Sequence, residues 1–249
     1  MMLRRFEDAS AGFLLVWGMA PADLSAGRAD QTAAVLLDME RMLAGCGMSF
    51  ADVVRTWFYL DDIASWYPEF NAARTRFFES RRVFETFLPA STGIGHPNPF
   101  GAALTAGFFA MRPKNGGARA VTLKSLLQRD PMSYRSSFSR AAETASASGR
   151  RLFVSGTASL LPDSSEVAFP GDPARQIDCA MCAALAILES RGMTTANVTR
   201  AVAYVKRPEH RPLWFDWLER RGLPRSFASV MTADVCRPDW LFEIELDAA

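Results

Sequence analysis

The sequence predicts an α+β fold built twice in one chain, and three observations carry that reading. Residues 31–60, "QTAAVLLDMERMLAGCGMSFADVVRTWFYL", align without a gap on residues 176–205, "QIDCAMCAALAILESRGMTTANVTRAVAYV", at an offset of 145 (Gln31 on Gln176). Gly47 falls on Gly192, Met48 on Met193, Val53 on Val198, Arg55 on Arg200 and Tyr59 on Tyr204. Self-similarity of this length is read before any local propensity, because it sets the architecture. The apolar pattern also switches between strand-like and helical spacing in the same order in both copies. Finally, glycines stop the elements at matching places.

Each copy opens on an apolar strand that ends at a glycine, "FLLVWG" at 13–18 and "RLFVSG" at 151–156. After a loop comes a helix, whose apolar residues in the first copy (Val35, Leu36, Met39, Met42, Leu43) recur at helical spacing. Gly47 and Gly192 end these helices as glycine C-caps do. A short turn leads into the strand "TWFYL" at 56–60 or "AVAYV" at 201–205. A second helix follows, in "SWYPEFNAARTRFFESR" at 65–81 and "PLWFDWLERRG" at 212–222. Each copy closes on strands, "GAALTAGFFAM" at 101–111 and "WLFEIEL" at 240–246. Strands with helices on one face make a sandwich. The first half is placed at residues 1–111 and the second at 131–249. Residues 112–130 form a linker around the polar, Gly-rich "RPKNGGAR".

The 249 residues, 49% hydrophobic and 22% charged, are enough for two cores. A net charge of +1 with scattered basic residues gives no field for nucleic acid or anionic lipid, so neither is expected as a partner. The start, "MMLRRFEDAS", runs into Glu7 and Asp8 instead of an apolar segment, unlike a secretory signal. The longest apolar run, near "GFLLVWGMA", is too short to span a bilayer. Cys179 and Cys182 have CxxC spacing, but they lie in a helical pattern with no second pair to complete a zinc site. A reduced, cytoplasmic protein without metal or organic cofactor is expected. His96 and His210 read as exposed loop residues.

The pattern of helix, "GMSFADVVRT" and strand, with the closing "FEIELDA", resembles the RidA/YjgF family, small α+β proteins whose trimers place imine-hydrolysing sites between subunits. Two copies in one chain resemble the chorismatases more specifically. The motifs are "RTWFYLDDIASWYPEFNAARTRFF", "LPASTGIG", "YRSSFSRA", "RRLFVSGTAS" and "DVCRPDWLFEIELDA". The resemblance implies tandem RidA/YjgF-like (chorismate-mutase-like) sandwiches and cofactor-free cleavage of the enolpyruvyl ether of chorismate. Pyruvate would leave with a hydroxybenzoate or a dihydroxycyclohexadiene carboxylate. The chain would be a monomer or a homo-oligomer, a trimer among the options. Two features depart from the family pattern. The first repeat begins almost at Met1, where members carry a further N-terminal segment, and Arg135 stands where a glycine is expected.

The repeat shows which half keeps a site. RidA-type chemistry, as the resemblance implies it, uses an arginine after a proline and a glutamate on the last strand. The first copy has Ser91 in "LPASTGIG" and no carboxylate in its closing strand. The second offers Arg225 in "LPRS" and Glu243. The resemblance marks Glu243 as the catalytic acid, and burial between Phe242 and Ile244 would raise its pKa towards a useful range. Glu245 and Asp247 read as a solvated strand face.

Chorismate is a dianion, so its site needs fixed cations, and arginine grips a carboxylate by two parallel hydrogen bonds. Arg55 and Arg74 lie in the family-like stretches. Arg200, as the repeat mate of Arg55, suggests a fold role for that position, and Arg140 and Arg237 are weaker candidates. Tyr134, Ser136 and Ser137 form a polar stretch for the ring hydroxyl or ring carboxylate. The resemblance places Ala158 and Cys236 beside the substrate ring. Ala158 resembles dihydrodiol-forming members and Cys236 hydroxybenzoate-forming ones, and the leaning is to hydroxybenzoate. A RidA-like imine deaminase using Arg225 and Glu243, or a non-catalytic carboxylate binder, are the alternatives.

Overall fold

In the computed structural model, residues 1–134 and 136–249 are described. Arg135, the departure from the family pattern, lies outside them. The first half runs β1 (Met2–Glu7), β2 (Ala11–Met19), α1 (Arg28–Gly45), β3 (Val53–Leu60), α2 (Ile63–Ser80), β4 (Ala90–Gly95) and β5 (Leu104–Pro113). The second runs β6 (Arg119–Leu123), β7 (Ala141–Ser146), β8 (Gly149–Ala158), α3 (Pro173–Glu189), β9 (Val198–Val205), α4 (Arg211–Arg220), β10 (Ser229–Thr232) and β11 (Phe242–Ala248). The strands form two sheets, ordered β1-β2-β5-β3-β4 and β10-β9-β11-β8-β7-β6. β6 falls within the stretch expected to be linker, and its pairing with β7 makes it an edge strand of the second sheet. The unpaired connection is therefore shorter than the sequence implied.

The repeat holds residue for residue. The 3-10 turns at 50–52 and 195–197, and the strands β3 and β9 after them, start 145 positions apart (Phe50 to Thr195, Val53 to Val198). Both turns carry a capping box, Ser49 with Asp52 and Thr194 with Asn197. Gly47 and Gly192 adopt φ values of +70° and +69°, the left-handed conformation glycine accepts without strain. The repeated glutamines explain themselves. Gln31 donates to the Ala26 carbonyl and accepts the N–H of Ala103, while Gln176 donates to the Phe169 carbonyl and accepts the N–H of Leu241. Each ties the start of its helix to the entry of its last strand.

α1 and α2 cover one face of the first sheet through Val35, Leu36, Phe70 and Phe78. α3 and α4 cover the second through Ile177, Met181, Trp214 and Trp217, beneath Phe242, Ile244 and Leu246 of β11. The two uncovered faces meet in a third core containing Phe13, Trp57, Phe109 and Phe153. The order is helices, sheet, sheet, helices, and burial of apolar faces on both sides of each sheet drives it. β4 is the seam. Its Ser91 N–H donates to Ser155 Oγ at 2.9 Å, and Gly95 exchanges backbone hydrogen bonds with Asp234 at 2.7 and 3.1 Å.

No helix of the described residues is long and apolar enough to cross a membrane. Cys179 is half-buried on α3 and Cys182 is exposed. His210 differs from its expected exposure. It is 8% exposed in a 3-10 turn that opens α4, and this burial lowers its pKa.

Candidate active site

A cleft opens at the seam, lined from the first half by Tyr67 and Arg74 of α2 and by Ser91 and Gly93 of β4. The second half contributes Tyr134, Ser136, Arg140, Gly156, Ala158 and, around the last strand, Cys236, Arg237, Trp240 and Glu243. With its mouth it encloses about 520 Å³. It continues into a wider groove over α2, where Ser137 meets Thr75 (Oγ to Oγ, 2.7 Å).

Glu243 is 4% exposed, and no described residue donates a hydrogen bond to its carboxyl. Burial raises its pKa first and the Glu245 charge second. Arg55 and Arg140 act against them, and the net result is a carboxyl pushed up to about 8. It is therefore largely protonated at neutral pH. Pairing shows why the first half has no counterpart. Glu243 lies opposite Tyr204 and Thr105 lies opposite Tyr59, the repeat mate of Tyr204. By the same register Gly107 and Phe109 occupy the places of Glu245 and Asp247.

Two cationic walls face the acid. Arg74 is 2% exposed, donates to Asn71 Oδ1 at 2.7 Å and has an unpartnered Nε. Arg140 is equally buried and donates to the Arg129 carbonyl at 2.8 Å and to the Tyr134 hydroxyl at 3.0 Å. Neither meets a carboxylate among the described residues. Burial lowers the pKa of both, which is the mark of cations held without a counter-ion. Cys236 is a half-buried thiol on the cleft wall, pushed up to about 12 chiefly by its desolvation there, so it stays protonated and is no nucleophile.

Several sequence expectations change here. Arg55, expected to bind substrate, does not line the cleft. It is wholly buried and donates to Glu245 Oε2 at 2.6 Å and to Thr92 Oγ1 at 2.5 Å. Glu245, expected on a wet face, is also wholly buried and takes a second guanidinium from Arg200 and the Tyr204 hydroxyl at 3.2 Å. Burial works to raise its pKa, but Arg55 and Arg200 prevail and lower it. Asp247 is half-buried, paired with Arg200 at 3.3 Å, and raised to about 6, mainly by burial. The physical reason is that this face of β11 turns towards the other sheet. Arg225 is exposed and stacks on Phe215 of α4 at 4.8 Å, on the helical side of the second sheet. Within this chain it does not meet Glu243. Arg74, Tyr134, Ser136, Ala158, Cys236 and Glu243 are brought together in the cleft, and Ser137 stands at its outer groove.

The sequence reading did not single out Tyr67, Gly156 and Trp240, which line the cleft, and Arg140 and Arg237, weaker candidates there, line it too. Tyr67 and Trp240 read as helix and strand aromatics, and only their convergence reveals them. Gly156 had a signal, a glycine ending the repeat's opening strand. A Cβ built there would collide with Glu243 Oε1.

No protein-family model matches the chain. The 3-hydroxybenzoate synthase of Streptomyces hygroscopicus is 29% identical over 246 residues, spanning 87% of this chain and 68% of that protein. A crystal structure of a chorismatase superposes with a TM-score of 0.78 over 99% of this chain and 77% of that one, at 23% identity. The YjgF gene product of E. coli matches 52% of this chain and 98% of its own, with TM-score 0.40 and 18% identity. The internal repeat, the two covered sheets and the match over almost the whole chain agree: this chain has the chorismatase fold, two similar α+β halves in one polypeptide with the cleft at their seam.

Proposed function

We propose that the chain cleaves the enolpyruvyl ether of chorismate, with Glu243 as general acid. One observation carries this: a buried, protonated carboxyl shares a cleft with two buried guanidiniums, and among the described residues neither the carboxyl nor the guanidiniums have an ion-pair partner. Such cations call for an anionic ligand, and two of them suit a dianion. A neutral acid placed between them suits protonation of an electron-rich double bond.

In this reading Arg74 and Arg140 hold the two substrate carboxylates. Glu243 gives its proton to the enolpyruvyl methylene, and the ether carbon becomes oxocarbenium-like. Water adding to that carbon gives a hemiketal that breaks its bond to the ring oxygen and releases pyruvate and the diol. The neighbouring ring hydroxyl adding instead gives a cyclic ketal; that hydroxyl's bond to the ring breaks with loss of the adjacent ring C–H proton, its oxygen leaves as the pyruvate ketone oxygen, and the ether oxygen stays on the aromatic ring. In either route the proton lost by the adding hydroxyl returns Glu243 to its acid form. Closure of the cleft by Tyr67, Tyr134 and Trp240 strengthens these charges by excluding water. The half-buried thiol of Cys236 and the small Ala158 form the wall beside the ring, and we assign the product as a hydroxybenzoate. The support is Cys236 and the likeness to a protein named 3-hydroxybenzoate synthase.

Incubation with chorismate, followed by pyruvate detection and identification of the ring product, tests the reading. Absence of pyruvate overturns the activity, and a purely non-aromatic diol overturns the product. Imine deamination loses its support within the chain, since Arg225 and Glu243 lie on opposite sides of the second sheet. A 2-aminoacrylate generator in a coupled assay is the matching control.

A further inference from the structure

Thr92 and Glu245 lie behind the cleft wall without lining it, yet both bear on the acid. Between them sits Arg55. Its Nη2 donates to both, while its Nε and Nη1 are buried without a partner. The same Thr92 oxygen accepts the N–H of Gly156 at 3.0 Å, and the Glu243 carboxyl rests on Gly156. Glu243 receives no hydrogen bond from any described residue. A guanidinium with spare N–H groups near an unpartnered carboxyl has every electrostatic reason to pair with it. Such a pair would fix Glu243 as a carboxylate and remove its transferable proton.

We propose that Thr92 and Glu245 are positioning residues for Glu243: they commit the Arg55 guanidinium to Glu245 and hold Gly156 beneath the acid, leaving the Glu243 carboxyl free for the substrate. For its activity readout this inference rests on the function proposed above.

Among the described residues, the charged groups that bear on Glu243 are Glu245 on its own strand, Arg55 from β3 and Arg140 before β7, with Arg74 of α2 in the same cleft; Arg200 of β9 and Asp247 lie beyond Glu245 and pair with each other. The loop before β11 adds Arg237. Neutral titratable neighbours are Tyr67, Tyr134, Tyr204 and Cys236, each with its pKa raised chiefly by burial. Removing the Glu245 charge takes away the neighbour that keeps Glu243 protonated and releases Arg55 towards it. Removing the Thr92 hydroxyl releases Arg55 alone. Both changes act in the same direction, towards ionisation of Glu243 at lower pH.

The test follows the Glu243 carboxyl by carbon-13 NMR in glutamate-labelled protein, with Glu243→Gln to assign the resonance. Thr92→Val should lower the titration midpoint by about one unit, the size expected when a cation approaches a carboxylate. Thr92→Ser should restore it, and Glu245→Gln should lower it at least as far. In chorismate turnover the alkaline limb should move with the midpoint, with kcat falling about tenfold above both midpoints and KM unchanged. An unmoved midpoint in Thr92→Val, or the same shift in Thr92→Ser, overturns the proposal. If Glu245→Gln does not fold, the two Thr92 variants decide alone. If wild type releases no pyruvate, the activity reading fails while the NMR titration still decides this one.

Discussion

Gly156 lies so close beneath Glu243 that a single added methyl would collide with the carboxyl oxygen Oε1. The acid and its seat come from paired strands of the second half, β11 and β8, and Thr92 of the first half holds the seat from across the seam. The site therefore needs both halves, although only the second carries the acid.

Gly156→Ala should displace the Glu243 carboxyl while leaving the two arginines in place. We expect kcat for pyruvate release to fall about 100-fold or more, within the range for losing a proton donor. Chorismate binding by calorimetry should stay within a few-fold of wild type. Retained kcat would show that Glu243 does not work from this seat.

Glu243→Gln keeps the shape and removes the transferable proton. Turnover should fall about 10² to 10⁴-fold, equivalent to roughly 3 to 5 kcal/mol of barrier. Binding should survive, because Arg74 and Arg140 supply the attraction. Turnover within a few-fold of wild type would remove the chemical centre of the proposed function.

Activity should require the protonated acid, so kcat/KM should fall as pH rises through about 8. The same group makes stability pH-dependent with a definite sign. Its folded pKa is raised, so the folded state binds the extra proton between the ordinary carboxyl range and about 8. Stability from this group falls as pH rises across that window. Glu243→Gln should flatten that part of the stability profile in denaturant titrations. A stability profile as steep in the variant as in wild type would contradict the assignment.

Arg74→Met should weaken chorismate binding about 10- to 100-fold, the value of a lost charge-assisted hydrogen bond of roughly 1.5 to 3 kcal/mol. Without ligand it should not destabilise the protein, because it removes a buried charge that has no carboxylate partner. A melting temperature raised or unchanged together with weakened binding is the signature of a binding arginine. A lowered melting temperature with normal binding would mark Arg74 as structural.

Glu143 makes the opposite case. On β7 it is gripped by Arg150 at 2.8 Å and by Arg191 at 2.8 and 3.0 Å, tying the β7–β8 hairpin to the end of α3. The hydrogen bond from Arg191 leads in holding its pKa down to about 2. Glu143→Gln should cost about 1 to 3 kcal/mol at neutral pH. The folded pKa is depressed, so the stabilisation is present above the ordinary carboxyl range and fades as pH falls through about 2. The difference between variant and wild type in chemical unfolding should shrink on acidification. A difference that persists at low pH would point to packing instead.

The sequence by itself determined the duplicated α+β architecture. Repetition of Gln31, Gly47 and Tyr59 at Gln176, Gly192 and Tyr204 reports local requirements, namely a helix tether, a left-handed stop and a core strand. It also showed which last strand carries carboxylates. What it could not assign was the use of each charge. Glu243, Glu245 and Asp247 alternate identically along β11, and only the approach of the first sheet makes one an unpartnered acid and the next a clamped ion. Arg55 and Arg200 read as equivalent by repeat, and tertiary packing brings both onto Glu245. Arg74 and Arg140 stay without an ion-pair partner among the described residues because the fold buries them at the seam. Spacing along a chain encodes which face a side chain takes, but its charge partners come from elements nearly two hundred residues away, as Arg55 and Glu245 are.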